Sequence, residues 1–132
     1  MAVYTKINNH NVSYINQKFN IEKFISFQGI KQGIENTNYL LKTKNKKKFI
    51  LTIFEKRVVN NELPFFMELM EILNNSKINC PRPIRNKKGD CLFNLKNKKA
   101  CIVTFLDGKD KKKLNNKNCY DIGRIIARMH LI

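Results

Sequence analysis

The feature of this sequence that most constrains its fold is a pair of short apolar segments joined by a small-residue loop. Residues 24–30 and 39–41 are mainly apolar, and the chain between them turns at Gly29 and Gly33. Runs of this length around a glycine-containing loop predict two antiparallel strands. Because glycine lets the backbone approach a phosphate closely, the loop is either an ordinary hairpin turn or a phosphate-binding loop. Two glycines alone are not a Walker motif, so the loop by itself favours the hairpin.

A third strand is predicted at residues 49–56, where apolar side chains occupy both alternating faces. A strand of this kind lies in the middle of a sheet or beneath a helix. The next helix is predicted to be capped by Asn60 or Asn61, with Pro64 in its first turn, where a missing N–H costs nothing. Its apolar face is predicted to comprise Phe66, Leu69, Met70 and Leu73.

Three further segments complete the pattern. Helical spacing predicts a short helix within residues 8–20 and a last helix at residues 119–132. The turn sequences NKKGD and NKK predict a hairpin whose strands are residues 91–95 and 100–106. The expected fold class is α+β, with about five antiparallel strands and a covering helix. The apolar stripe of the last helix runs to Ile132 with no later element to bury it, so we expect the chain to be the front part of a longer fold.

Composition narrows the functional classes. The chain has 132 residues, four cysteines without a CxxC pair and a formal net charge of +16. The cysteine spacing predicts neither a zinc site nor a disulfide framework, and no apolar run approaches the ~20 residues that cross a membrane, so we expect a cytoplasmic protein with reduced thiols. Lysine supplies most of the charge and lies in turns, without the arginine and interleaved aromatic residues of nucleic-acid binders. We therefore expect no specific nucleic acid partner, and a basic nucleic-acid-binding module is the alternative outside the enzymes.

The amino-acid identities of several segments carry information beyond their hydrophobic periodicity. MAVYTK, GIKQGIENTNYLL, FILTIFEKR, LPFFMELMEIL, CPRPI and IVTFLDGK, in this order, resemble the aminoglycoside-phosphotransferase-like family, which has a protein-kinase-like fold. Within it they are most similar to the bacterial members that phosphorylate L-homoserine. The resemblance covers essentially the whole chain, but only the N-terminal part of such a kinase. It implies that residues 1–106 form the small lobe with the hinge, and that residues 107–132 form a linker and the first helix of the large lobe.

The resemblance also implies a reaction and its cofactors. It implies ATP-dependent phosphorylation of L-homoserine to O-phospho-L-homoserine in threonine biosynthesis, with Mg²⁺ held by the large lobe. The catalytic aspartate, a neighbouring asparagine and the metal-binding aspartate of such kinases belong to that lobe. We therefore assign no catalytic or metal-binding residue to this chain and expect it to be inactive alone. A sibling kinase for choline or an aminoglycoside is the alternative within the enzymes.

The same resemblance assigns the ATP-binding residues by position. The loop would lie over the phosphates, and residues 104–106 would be the hinge, with the carbonyl of Thr104 and the N–H of Leu106 bonding the adenine edge. The residues assigned to ATP are Gly29, Gly33, Asn36, Thr37, Asn38, Thr52, Lys56, Thr104 and Leu106.

The third strand departs from the family pattern. Kinases of this fold hold the nucleotide phosphates with a third-strand lysine paired to a helix glutamate. Here those positions read Thr52 and Phe66, so both halves of the ion pair are absent together. Lys56 shares the face of Thr52 but lies four residues further on, so it replaces the lysine only if the strand end curls over the loop. Candidate partners for Lys56 or Arg57 are Glu62, Glu68 and Glu71, and a solvated surface is the other interpretation of these charges.

Overall fold

The computed structural model of the chain describes residues 3–55 and 60–132. The strands in these ranges are β1 (Phe24–Gly29), β2 (Thr37–Thr43), β3 (Lys48–Ile53), β4 (Leu92–Leu95) and β5 (Lys98–Thr104), and the α-helices are α1 (Asn9–Lys18), α2 (Leu63–Asn75) and α3 (Asn116–Met129). All five strands form one antiparallel sheet in the order β1-β2-β3-β5-β4. The predicted α+β class with a five-stranded antiparallel sheet is confirmed.

The middle of the sheet is β3, which lies between β2 and β5, as its two apolar faces predicted. Leu51 and Ile53 are fully buried on one side of the sheet, where Val12 and Ile15 of α1 join the same core cluster. We call this side the α1 face. The opposite side, the α2 face, carries the alternate residues of β3.

The first helix forms where the sequence predicted it, within residues 8–20. The side-chain oxygen of Asn8 accepts the N–H of Asn11 at 3.0 Å, and the side chain of Asn11 accepts the N–H of Asn8 at 3.1 Å. This reciprocal pair satisfies backbone donors that the first turn of a helix leaves without partners. Beyond the helix, the ring of Phe19 packs edge-on against Phe93 with the centroids 5.2 Å apart, which ties α1 to β4.

The start of α2 differs from the predicted start. Asn60–Glu62 forms a 3₁₀ turn, and Glu62 occupies the N-cap position without a side-chain cap bond. Neither Asn60 nor Asn61 occupies the N-cap position of the helix, so that prediction was wrong. Pro64 lies in the first turn, as predicted.

The buried face of α2 is also rotated from the predicted one. Leu63 is fully buried, and residues about one, two and three turns later lie on the same side of a helix. Those residues are Met67, Met70 and Leu73, all buried or partly buried against the protein. Phe66 and Leu69 are consequently 44% and 37% exposed, so their assignment to the core is corrected.

The last helix, α3, starts earlier than predicted because Asn115 caps it by accepting the N–H of Asn118 at 2.9 Å. No residue of α3 is buried, and one guanidinium nitrogen of Arg128 donates to the carbonyl of Ser76 at 3.3 Å. Its apolar side chains are therefore exposed, namely Ile122, Ile125, Ile126 and Met129. Within the described ranges, no helix has both the length and the apolar character needed to cross a membrane.

A pair of matched substitutions tests this division between the sheet core and α3. We expect Leu51→Ala to lower the free energy of unfolding by about 2–5 kcal/mol, because the side chain is fully buried in the sheet core. We expect Ile125→Ala on α3 to lower it by less than about 0.5 kcal/mol, because the residue is 45% exposed. Urea unfolding followed by circular dichroism measures both changes. Equal losses in the two variants would contradict the structure by making α3 part of the same core.

Candidate functional site

The loop between β1 and β2 comprises residues 30–36. At its base, the N–H of Ile30 donates to the carbonyl of Asn38 at 2.9 Å. Gly33 has a φ of 107°, in the left-handed region that favours glycine. Residues 31–35 are exposed, so the backbone of this loop is accessible to a ligand.

The N-terminal segment, residues 3–7, packs against the base of this loop from the α1 face. A Cβ atom added at Gly29 would lie 3.0 Å from Cγ2 of Val3, so a larger residue there would displace the segment. Thr37 is fully buried, and its hydroxyl oxygen accepts the N–H groups of Tyr4 and Thr5 at 2.9 and 3.1 Å. The side-chain positions of Gly29 and Thr37 thus serve contacts within the chain, and their assignment to ATP stays a prediction about their backbone.

A carboxylate cluster joins the loop, the N-terminal segment and β5. The hydroxyl groups of Thr5 and Thr37 donate to one carboxylate oxygen of Glu55 at 2.6 and 2.8 Å, and the ammonium group of Lys98 donates to the other. The backbone N–H of Glu55 donates to the side-chain oxygen of Asn36 at 3.2 Å. The last residue of the loop is therefore fixed to the chain just beyond β3.

The environment of Glu55 favours its charged form. The side chain is 10% exposed. Burial alone raises the pKa of this carboxyl, but the hydrogen bonds from Lys98, Thr5 and Thr37 outweigh burial and hold the pKa below its ordinary value. Glu55 and Lys98 thus form an ion pair in which both carboxylate oxygens accept hydrogen bonds, one from Lys98 and the other from the hydroxyl groups of Thr5 and Thr37.

The α2 face next to the loop carries uncharged polar groups. The hydroxyl of Thr52 donates to the side-chain oxygen of Asn38 at 2.8 Å, and both residues are half-buried. Thr52 lies opposite Cys101 on β5, and burial raises the pKa of this thiol to about 12, so the thiol is neutral. Asn38 and Thr52, both assigned to ATP, are therefore brought together by the fold.

The α2 residue that packs against this face is Met67, one position after the predicted Phe66. Phe66, which the sequence assigned to the position of the helix glutamate of other kinases, is exposed beside Phe65. Met67 instead packs against Cys101 and Val103 of the sheet. Phe66 and Met67 are both apolar, so neither residue supplies an acidic partner for Thr52.

The charged residues considered as replacements fall into two groups. Lys56 and Arg57 lie outside the described residues. Glu71 pairs with Arg85 at 2.6 Å on the protein surface, while Glu62 and Glu68 are exposed.

Thr104 and Leu106 lie at the end of β5. The N–H of Thr104 donates to the carbonyl of Arg82 at 3.0 Å, and its hydroxyl oxygen accepts the N–H of Arg82 at 2.9 Å. The next N–H, that of Phe105, donates to the carbonyl of Lys48 on β3, so the backbone groups of Thr104 point away from β3. Within residues 3–55 and 60–132, no donor meets the carbonyl of Thr104 and no acceptor meets the N–H of Leu106.

The loop base and residues 104–106 lie at opposite ends of β3. Thr37 is opposite Ile53, and Thr104 is opposite Phe49. The four residues of strand between these two levels correspond to about 13 Å. The α2 face therefore offers an elongated surface with exposed loop backbone at one end and unpaired backbone groups at the other.

Two other features do not coincide with this surface. A groove of about 750 Å³ lies between α1, α2 and the β4–β5 hairpin, and none of the residues assigned to ATP lines it. The described part of the chain contains no group of three carboxylate, histidine or cysteine side chains able to hold a metal ion. These residues do not fit a Mg²⁺ site, and we assign no metal ligand to them.

The Glu55 cluster was missed from the sequence. Its signal is the alternation of β3, because a residue two positions after Ile53 continues the line of buried side chains. A carboxylate on that line requires buried partners. Its partners Thr5 and Lys98 lie 50 and 43 residues away along the chain, so the sequence did not identify them.

Comparison with known proteins identifies the family to which the chain is similar. The model of the phosphotransferase enzyme family matches residues 26–132. Homoserine kinase of Bradyrhizobium diazoefficiens is 41% identical over 131 residues, which are 99% of this chain and 40% of that protein. Homoserine kinase of Gluconobacter oxydans is 39% identical over 131 residues, which are 99% of this chain and 41% of that protein. The chain thus spans about two fifths of the length of the curated relatives it matches.

A solved structure shows the same fold. Spectinomycin phosphotransferase, in complex with ADP and spectinomycin, superposes with a TM-score of 0.76 over 96% of this chain and 38% of that one. Its sequence identity to this chain is 14%, so the likeness concerns the fold alone.

The Glu55 cluster generates a pH-dependent prediction. We expect Glu55→Gln to lower the free energy of unfolding at pH 7 by about 1–3 kcal/mol, because charge-assisted hydrogen bonds are lost. The folded-state pKa of Glu55 lies below its ordinary value of 4.5. The stabilisation is therefore fully present above that value and is lost as the pH falls through the folded-state pKa. Urea unfolding at a series of pH values measures the difference between the two proteins.

Glu35→Gln, which changes an exposed loop carboxylate, is the matched control and should change stability by less than about 0.5 kcal/mol. A difference between the parent protein and Glu55→Gln that stays constant from neutral to strongly acidic pH would contradict the charged state of the cluster.

Proposed function

The chain belongs to the phosphotransferase enzyme family, and from this membership we propose that it supplies the ATP-binding lobe of a homoserine kinase. The reaction is transfer of the terminal phosphoryl group of ATP to the hydroxyl group of L-homoserine, giving O-phospho-L-homoserine and ADP. The substrate assignment is supported by the names of the relatives that match nearly the whole chain. Because the chain spans two fifths of those relatives, the activity is that of a complete kinase and the nucleotide surface is the contribution of this part.

The observation that carries the nucleotide proposal is the pair of unpaired backbone groups at Thr104 and Leu106. An adenine edge presents an amino group that donates and a ring nitrogen that accepts. The carbonyl of Thr104 and the N–H of Leu106 are the complementary acceptor and donor, and intrachain bonds occupy neither. Because the contacts are made by the backbone, side-chain identity at the hinge is free to vary.

The features that support the remaining ATP contacts lie along the α2 face and in the loop 30–36. Ile50 and Val103 offer an apolar surface beside the adenine position. At the other end, Gly33 and the exposed loop backbone are positioned to meet the phosphates, and Gly29, Asn36 and Thr37 hold the base of that loop. Asn38 and Thr52 offer neutral polar groups where a lysine would supply a charge.

The boundary between the lobes is proposed at residue 106. Residues 1–106 include the sheet, α1, α2 and the hinge, whereas residues 107–132 comprise a polar link and α3. The exposed apolar side chains of α3 support this division, because such a face is suited to burial by a second lobe.

Spectinomycin phosphotransferase supports the fold, but not a substrate. A sibling kinase for an aminoglycoside or choline would use the same lobe, since this fold carries different substrates. The relatives that match 99% of this chain favour homoserine over those substrates.

Two variants of one residue test the adenine contact. We expect Leu106→Pro, which removes the backbone N–H, to weaken ATP binding by this chain about tenfold, because one hydrogen bond to the ring is lost. We expect Leu106→Ala, which keeps the N–H, to change the Kd less than threefold. Isothermal titration with ATP measures both. Equal affinity in the proline and alanine variants would refute the hinge contact.

A chimera tests whether this chain serves as the ATP-binding lobe of a homoserine kinase. The corresponding two fifths of the Bradyrhizobium diazoefficiens homoserine kinase are replaced by this chain, and ADP release is measured with L-homoserine, choline or spectinomycin as acceptor. We expect ATP-dependent phosphorylation of L-homoserine alone. Unchanged ADP release after Leu106→Pro in the chimera would show that this chain does not bind the nucleotide.

A further inference from the structure

The N-terminal segment, residues 3–7, touches the loop 30–36 near its tip as well as at its base. At the base, Val3 packs against Gly29 and the N–H groups of Tyr4 and Thr5 bond the hydroxyl of Thr37. Near the tip, the phenol of Tyr4 donates to the carbonyl of Ile34 at 3.0 Å. The segment approaches the sheet from the α1 face, so it supports the loop from the side opposite the proposed nucleotide surface.

The phenol of Tyr4 holds a part of the loop that little else holds. Residues 31–35 are exposed, and the Ile34 side chain is 75% exposed. Among the described residues, the bond from Tyr4 is the one hydrogen bond made to any of residues 31–35. Loss of this bond would leave the tip attached only through its two ends.

The segment that carries Tyr4 is itself firmly anchored. The phenol of Tyr39 accepts the N–H of Ile7 at 3.2 Å and donates to the carbonyl of Thr5 at 3.0 Å. The hydroxyl of Thr5 also donates to the part-buried carboxylate of Glu55. Tyr4 therefore extends to the loop from a fixed support, which lets its bond restrict the loop.

We propose that Tyr4 is a positioning residue for the nucleotide, because its phenol holds the tip of the loop 30–36 in one conformation without contacting the ligand. A loop that is already ordered loses less conformational entropy when phosphate binds, so its affinity for phosphate is higher. The effect on nucleotide affinity rests on the proposed function, whereas the restriction of the loop does not.

The loop is tested first, without nucleotide. Tyr4→Phe removes the phenol oxygen and keeps the ring. We expect the backbone ¹⁵N order parameters of residues 31–35, measured by NMR relaxation on the whole chain, to fall by about 0.1–0.2, while those of β3 and β5 are unchanged. The matched control is Tyr14→Phe, which removes a phenol that donates to the carbonyl of Asn94 at 3.3 Å and leaves the loop alone. Unchanged order parameters at residues 31–35 in Tyr4→Phe overturn the proposal, and so does an equal fall across the sheet.

The nucleotide is tested second, by titration with ATP. We expect Tyr4→Phe to raise the Kd about three- to tenfold and Tyr14→Phe to leave it unchanged. Lower order parameters in the loop with an unchanged Kd overturn the positioning effect on the nucleotide. Absence of ATP binding in the parent chain overturns the proposed function together with the positioning effect, and the relaxation measurement still decides whether Tyr4 restricts the loop.

Discussion

The central position of β3, which is buried on the α1 face and half-buried on the α2 face, is the constraint on which the rest of the structure depends. A strand with apolar side chains on both sides needs a cover on each, and α1 and α2 supply these covers. The two covers differ in kind. The α1 face is closed by α1 and the N-terminal segment, whereas α2 covers only part of the α2 face around Met67, Cys101 and Val103. The surface that remains on the α2 face runs from the loop to the end of β5.

At the loop end of the sheet, the polar groups on the two faces differ in charge. The part-buried ion pair of Glu55 and Lys98 lies with Thr5 and Thr37 on the closed face, where the four side chains hydrogen-bond to one another. These bonds fix the geometry of the elements that they join. On the open face, the polar pair of Asn38 and Thr52 is neutral. A charged cluster thus supports the base of the loop from one side, and a neutral polar pair lies on the side of the proposed nucleotide surface.

Local sequence patterns predicted the fold well because the apolar residues of a strand or helix recur with the period of that element. The alternation in β3 identified a central strand, and the asparagines before α1 identified its cap. The face of α2 was displaced by one residue because the helix starts after a 3₁₀ turn at a fully buried Leu63, a feature that periodicity alone did not locate. The strand β2 was predicted too short because Thr37 and Asn38 are polar, and their bonding partners lie elsewhere in the chain. Contacts such as that between Tyr4 and Ile34 depend on tertiary structure and left no local signal.

The strand order also determines how the sheet is assembled. β1, β2 and β3 are successive hairpin neighbours, and β4 and β5 form a second local hairpin. The two units meet along the β3–β5 ladder, where Thr52 and Cys101 are 49 residues apart in the sequence. Local hairpins form faster than such long-range pairings, because closing a long loop costs more entropy. We therefore expect the two hairpin units to join late in folding, and the surface between the loop and the end of β5 draws residues from both units.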